Sequence, residues 1–261
     1  MKKYWLTFLV TIVLFLSSFF TLMPAQAAKV APEQLDQITQ DWSKSVHALK
    51  EINCSTCHLA EETKEFVAVP NHETCRTCHE SQVETFLLSK HGIRLLEGMS
   101  PLTPKMAKLP MKKSALDQVM NCNTCHDVHV QNTFTASVDS CLTCHNDTHS
   151  LNYENSKHFG LYASAGDLPR PSNGMVTCAT CHLPRELDGE AVHVNHNNTY
   201  NLLPRDRMVK DVCINCHGLE FAYNSIFDDE LVTKNFARSP TLKLETFELV
   251  RALEEKRSSK K

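Results

Sequence analysis

All twelve cysteines of the 261-residue chain stand in Cys-x-x-Cys pairs, and each pair is followed at once by histidine. The six motifs are Cys54/Cys57/His58, Cys75/Cys78/His79, Cys122/Cys125/His126, Cys141/Cys144/His145, Cys178/Cys181/His182 and Cys213/Cys216/His217. Two thiols one turn apart can form thioethers to the vinyl groups on one edge of a haem, and the adjacent imidazole then reaches the iron. Zinc ribbons and redox Cys-x-x-Cys sites need the thiols but no histidine in the next position. A disulfide framework would be the usual reading of so many cysteines in an exported chain. Six repeats of the extra histidine, drawn from 14 histidines in all, overturn it. The cofactor expectation is six covalently attached haems c, one per motif.

Eight further histidines remain: His47, His72, His91, His129, His149, His158, His193 and His196. Six of them would complete bis-histidine ligation of every iron. His129 follows His126 by three residues and His149 follows His145 by four, so on a continuing helix each imidazole projects beside its own proximal histidine and must serve a neighbouring haem. His91 and His158 lie in matching Ser-Lys-His segments, 12 and 13 residues after the preceding proximal histidines. His47 ends an amphipathic pattern of Leu35, Ile38, Trp42 and Val46, read as a helix entered near Pro32. His193 and His196 supply one ligand between them, with His196 taken into the set. His72, in a Pro-Asn context before Cys75, is the weakest of the eight. The expected distal set is thus His47, His91, His129, His149, His158 and His196.

The elements that must position these groups are short. Val83, Phe86, Leu87 and His91 have helical spacing, with Gly92 as the expected C-cap. Two motifs followed by Ser-Lys-His occur twice, over 47–92 and 122–160, which reads as a duplicated haem-pair module. Further motifs follow at 178–182 and 213–217. Between Gly92 and Asn121 there is no cysteine, and Pro101, Pro104 and Pro110 break any long helix, so this stretch is a connector or a cover over a haem face. Met99, Met106, Met111 and Met120 there read as gap-filling residues rather than axial thioethers. Residues 163–176, rich in Gly and Pro, read as a loop. After the cytochrome domain at 28–236, the segment 237–261 reads as a helix carrying Leu242, Phe247, Val250 and Leu253, with a basic tail. Strand-like runs are too few for a sheet. The fold class expected is mostly helix with extensive loops, a multihaem cytochrome c fold wrapped round a haem stack, with little or no β-sheet.

Residues 1–27 have the order of a secretory signal: Lys2 and Lys3, an apolar stretch from Tyr4 to Met23, then Ala25-Gln26-Ala27. Cleavage there would place the mature start at Ala28 and the protein in the periplasm. Retention would instead leave a membrane anchor, the only route to membrane contact. Loss of the two lysines leaves 25 basic against 30 acidic groups. Such a balance excludes a nucleic-acid footprint and suits redox partners with basic docking patches.

Several of these segments together resemble a known family. They are Cys75 through Ser89-Lys90-His91-Gly92, Cys125-His126-Asp127-Val128-His129, and Cys141 to His158 with Tyr153-Glu154-Asn155-Ser156-Lys157-His158. Cys178 to Pro184 and Asn201 to Phe221 with Pro204-Arg205-Asp206 complete the set. Over most of 47–236 the chain resembles the hydroxylamine oxidoreductase-like multihaem cytochromes, which share a haem arrangement with pentahaem ammonia-forming nitrite reductases. The resemblance implies an all-helical assembly that moves electrons and, in enzymatic members, a catalytic haem open to small nitrogen compounds. The chain departs from that pattern. Octahaem members have eight motifs against six here, and the motif-free stretch from Gly92 to Asn121 falls where the family would carry its catalytic haem. The lysine that replaces a proximal histidine in the nitrite reductases has no counterpart.

The expected function is therefore periplasmic electron transfer between a quinol dehydrogenase or small cytochrome and a terminal reductase. The rival is a haem enzyme reducing or oxidising nitrite, hydroxylamine or a similar nitrogen or sulfur compound at one open haem. A third reading is an anchored quinol-oxidising subunit. Oligomeric state is left open by the sequence.

Overall fold

Helices are short because capping residues and prolines interrupt the apolar patterns every few residues. A computed structural model describes residues 30–164, 175–189 and 191–260. Their secondary structure is helical with extensive loops. The one sheet among the described residues is an antiparallel hairpin, Arg185–Asp188 with Ala191–Val194, in the register Arg185↔Val194 to Asp188↔Ala191. Gly189, at φ +60°, supplies the left-handed residue in its turn. The signal or anchor segment 1–27 and the centre of the 163–176 loop lie outside the described residues. Among the described residues no helix is long and apolar enough to cross a membrane.

Two compact units are distinguished, Met1–Gln40 and Asp41–Lys261. The described part of the first carries the start of the helix Pro32–Ser43. Val46, expected to continue that helix, instead opens a second one, Val46–Leu49. Ser45 makes the break: its hydroxyl oxygen accepts from the Ala48 N–H at 3.1 Å, an N-cap that starts a new helix.

In the larger unit the buried side chains gather in two small clusters. Val138, Tyr153, Tyr162 and Met175 form one, with Phe134, Leu142, Phe159 and Cys178 packed against it. Met208, Val209, Ala222 and Ile226 form the other, flanked by Cys181 and Cys213. Both clusters include motif cysteines among their neighbours, so the apolar core grows outward from the Cys-x-x-Cys-His segments. Met120 is buried as a packing residue should be, but Met99 and Met106 are about half exposed and fill no gap. The terminal helix forms as Glu245–Ser258, yet Leu249, Val250 and Leu253 stay exposed and Leu242 precedes it. Phe247 alone of the expected stripe meets an aromatic partner, Tyr223 at 6.1 Å.

Gly92 has a different role from the one its position suggested. The helix Glu80–Leu87 ends at Leu88, and Gly92, at φ −108°, precedes the next helix, Ile93–Leu96. A Cβ at residue 92 would sit 2.2 Å from the Phe86 carbonyl oxygen, so glycine is required by close backbone approach and not by a left-handed cap. Ser89, 1% exposed, holds the same turn, its hydroxyl oxygen accepting from the N–H groups of His91 and Gly92, both at 3.1 Å. Gly92→Ala should therefore lower stability by about 1–3 kcal/mol, measured by urea denaturation. It should also displace His91, read as a change in the near-ultraviolet and visible spectra.

Candidate functional site

The Cys-x-x-Cys-His motifs sit on short, tight turns. Cys54–His58, Cys122–Cys125 and Cys178–His182 are one-turn helices, and Asp139–Cys144 carries the fourth motif. Cys75 lies in His72–Arg76, and Cys213 opens a 3-10 turn. The residue before the first cysteine caps several of these turns. Asn53 accepts from Thr56 N–H, while Asn121 with Thr124 and Thr177 with Thr180 form full capping boxes. The helical turns bring both thiols of a motif to one side, as attachment to one macrocycle edge requires. No disulfide joins any of the twelve cysteines.

In the sixth motif the 3-10 turn Cys213–Asn215 ends before Cys216, which follows at φ −132° and ψ −22°, exposed, as Cys54 and Cys78 also are. The chain closes there with a tight bond, Cys216 N–H to Cys213 O at 3.1 Å, as it does in the second motif, Cys78 N–H to Cys75 O at 3.2 Å. His217 N–H still donates to Cys213 O at 2.9 Å, which keeps the histidine one turn from the first thiol. Exposure of Cys216 is compatible with a thioether, because its sulfur would sit at a macrocycle edge and an edge can face solvent.

Every motif histidine faces one other histidine. The ring centroids of His47 and His79 are 6.1 Å apart, those of His58 and His129 6.1 Å, and those of His91 and His145 6.3 Å. His126 and His196 are separated by 6.2 Å, His149 and His182 by 6.2 Å, and His158 and His217 by 6.1 Å. A ligating nitrogen lies about 2 Å from its metal and the ring centre about 1 Å beyond it, so two imidazoles on opposite sides of one iron have centroids roughly 6 Å apart. The six pairs share that separation. Direct ring stacking would bring them closer, as Phe221 does at 5.0 Å from His217. Among the described residues no cluster of three or more His, Cys, Asp or Glu is arranged to hold a bare metal ion. The arrangement suits a metal whose remaining ligands come from a macrocycle.

The two histidines outside the pairs are otherwise engaged. His72 Nε2 lies 3.0 Å from Glu73, and His193 Nδ1 is 3.5 Å from the Gln82 amide. His129 and His149 each face the histidine of another motif, although the continuing helices assumed from the sequence are absent. His126 is already extended at ψ 125°, and His149 lies on a separate turn, Thr148–Leu151, capped by Asp147.

Backbone carbonyls orient several rings. The Nδ1–H of His58 donates to Val67 O at 2.7 Å, that of His149 to Val232 O at 2.5 Å, and that of His196 to Val194 O at 2.8 Å. Each bond to Nδ1 favours the tautomer whose lone pair is on Nε2. Main-chain contacts place other distal residues: Gln131 Oε1 accepts from His47 N–H at 3.1 Å, and Thr85 Oγ1 from His196 N–H at 3.0 Å. Burial, and next the facing imidazole, holds His91 and His182 down at about 4, so both rings are neutral, as ligands must be. The same causes lower His47, His126 and His158.

Consecutive motifs adjoin in chain order. Burial, and then Cys75 and Cys78, raise the Cys57 thiol, while Cys75 and Cys122 interact directly. Burial, then Cys141 and Cys144, push Cys125 up to about 12, and Cys141 interacts directly with Cys178. Burial, then Cys213, push Cys181 up to about 12. Each motif thus has a cysteine close to one of the next motif along the chain.

Residues 74–139 match the family described as cytochrome c554 and c-prime. This segment is a multihaem c-type cytochrome domain. It contains the second and third motifs together with His91 and His129, and covalent haem c is the cofactor it implies. Among solved structures, a chain of a reducing HAO-like protein complex from Kuenenia stuttgartiensis is similar at 19% identity and a TM-score of 0.48, over 79% of this chain and 53% of that one. The chain spans about half the length of that relative. None of the curated proteins matches it.

Three features support the motifs: the first is the stretch read from the sequence as a connector or cover, and the other two gave no signal there. The Gly92–Asn121 stretch straps the fourth motif: Lys112 N–H donates to Cys144 O at 2.8 Å, and Met111 forms a β-bridge with His145. Asn201, fully buried, donates its amide to Cys181 O at 3.3 Å. Asp228 caps Asp229–Thr233, the helix whose Val232 carbonyl orients His149, and pairs with Arg238 at 2.9 Å. The Arg238 guanidinium, and then the Leu231 N–H, hold the Asp228 carboxyl well below the usual carboxylate range. A depressed folded value means that the stabilisation is complete above about pH 5 and is lost as pH falls from there toward that value. Asp228→Asn should lower the urea midpoint at pH 7 and flatten its decline between pH 5 and pH 2, relative to the unaltered chain.

Proposed function

We propose that the chain holds six haems c, each attached through the two cysteines of one motif and ligated by one of the six histidine pairs. We further infer that it carries electrons in the periplasm between a quinol dehydrogenase or small cytochrome and a terminal reductase. The observation that carries this reading is the complete pairing of the six motif histidines with six others. Bound haem supplies a one-electron ferric/ferrous couple. The residues would supply the rest: the two thiols of each motif would hold one haem, each pair of imidazoles would ligate its iron, and carbonyls of Val67, Val194 and Val232 hold three of the rings in place. The chain-order contact of successive motifs supports a continuous path. Catalysis on nitrite or hydroxylamine needs an iron with a weakly held sixth position, and a facing imidazole at every motif histidine argues against one. Export rests on the signal-like order of residues 1–27, and it fits c-type attachment outside the cytoplasm.

Electron paramagnetic resonance of the oxidised holoprotein, with the haem count from its pyridine haemochrome, tests the assignment. Six haems per chain and a purely low-spin ferric spectrum are expected. A high-spin signal that shifts with nitrite or hydroxylamine would overturn the carrier reading in favour of an enzyme. His196→Ala should convert one of six haems to high spin, whereas His193→Ala and His72→Ala should leave all six low-spin. The reverse pattern would move the ligand assignment to His193.

A further inference from the structure

The strap over the fourth motif departs sharply in charge from the rest of the chain. Between Lys90 and Asp117 lie six basic residues, Lys90, Arg94, Lys105, Lys108, Lys112 and Lys113, against Glu97 and Asp117, in a chain of net charge −3. Lys105 pairs with Asp117. Lys90, Lys108 and Lys113 are exposed and, among the described residues, have no carboxylate partner. Between them Met106 and Leu109 are 50% and 56% exposed. Both ends of the stretch are tied to one histidine pair. Lys90 precedes His91, which faces His145 at 6.3 Å, and Asn146 N–H donates to Pro110 O at 3.1 Å. Gln118 Oε1 lies 3.2 Å from Cys144 Sγ. Two propionates of a single haem would neutralise at most two of these charges, which leaves a positive surplus on the surface.

Exposed apolar side chains ringed by unpaired charges have the anatomy of a protein docking surface, and a small wet one suits transient redox encounters. We propose that this strap docks an acidic one-electron redox protein, which exchanges electrons at the His91/His145 pair in the middle of the series and not at either end. The inference rests on the electron-carrier reading above. A single electron passes from the partner's reduced centre to a ferric iron, with no bond made or broken and no proton moved. A protein fits better than an anionic lipid surface. Lipid attraction follows charge and apolar area alone and gains nothing from a position over one redox pair. The strap also has only single-turn helices, Ile93–Leu96 and the 3-10 turns Pro104–Met106 and Lys113–Ala115, where an interfacial helix would be long and amphipathic.

A plant-type [2Fe–2S] ferredoxin, which is acidic, serves as the probe, with its dissociation constant for the oxidised holoprotein measured by calorimetry at low salt and at about 0.3 M salt. The unaltered protein should bind it and weaken with salt. The double variant Lys108→Glu/Lys113→Glu should weaken binding about ten-fold, and Glu61→Lys/Glu62→Lys, beside the first motif, should change it by less than about two-fold. Low-spin spectra show that each variant is folded. Full reduction of all six haems by dithionite in every variant reads the carrier function separately, and its failure would overturn that reading and not the docking site. Absence of ferredoxin binding to the unaltered protein overturns the proposal. So does an unchanged constant in the strap variant, including the case where only its co-sedimentation with phosphatidylglycerol vesicles is lost, which would mark a lipid surface.

Discussion

Two imidazoles from separate segments held with their ring centres about 6 Å apart are the constraint on which the rest of this structure depends. His58 faces His129, His126 faces His196, and His91 faces His145. The spans overlap along the sequence, so the pairs interleave and no one of them closes a purely local turn. Among the described residues the clustered apolar core is small, two groups of four buried side chains, and it offsets little of the conformational entropy lost in ordering so many short turns. Metal-mediated links supply that stabilisation in domains whose folding and ligand binding are one event.

Precision at the pairs comes from groups with no chemistry of their own. Carbonyls of Val67, Val194 and Val232 select a tautomer, and any residue type could have provided them. Asp228 and Arg238 stabilise the turn that presents the Val232 carbonyl. Burial does the remaining electrostatic work, because an imidazole removed from water resists protonation and keeps its lone pair for a metal.

Local features were readable to the extent that they are truly local. Asn53, Asn121 and Thr177 cap motif turns because a short polar side chain next to an orphan N–H has few alternatives. Val212 and Val138 offer no such cap, yet the sixth motif tightens into a 3-10 turn that leaves Cys216 outside it and the fourth is α-helical, a difference the capping residue does not set. Gly92 was readable as special but not as a site of close approach to Phe86, which depends on how the chain returns after Leu88. The terminal helix formed where its spacing predicted, but Leu249, Val250 and Leu253 meet no core, because periodicity records amphipathicity and not the presence of a partner face. His129 and His149 each lie opposite the histidine of another motif, and the helix continuation assumed for them is absent: an extended residue at His126 directs the next imidazole away.

The sequence by itself determined the six motifs, each with two thiols and a histidine within five residues, the spacing that haem attachment would need, and it bounded the histidines that could face them to eight. Only the tertiary structure decided which six face the motifs and which motif each one faces. Two axial ligands must approach from opposite sides, so they come from separate segments, and separation along a chain carries no information about distance in space.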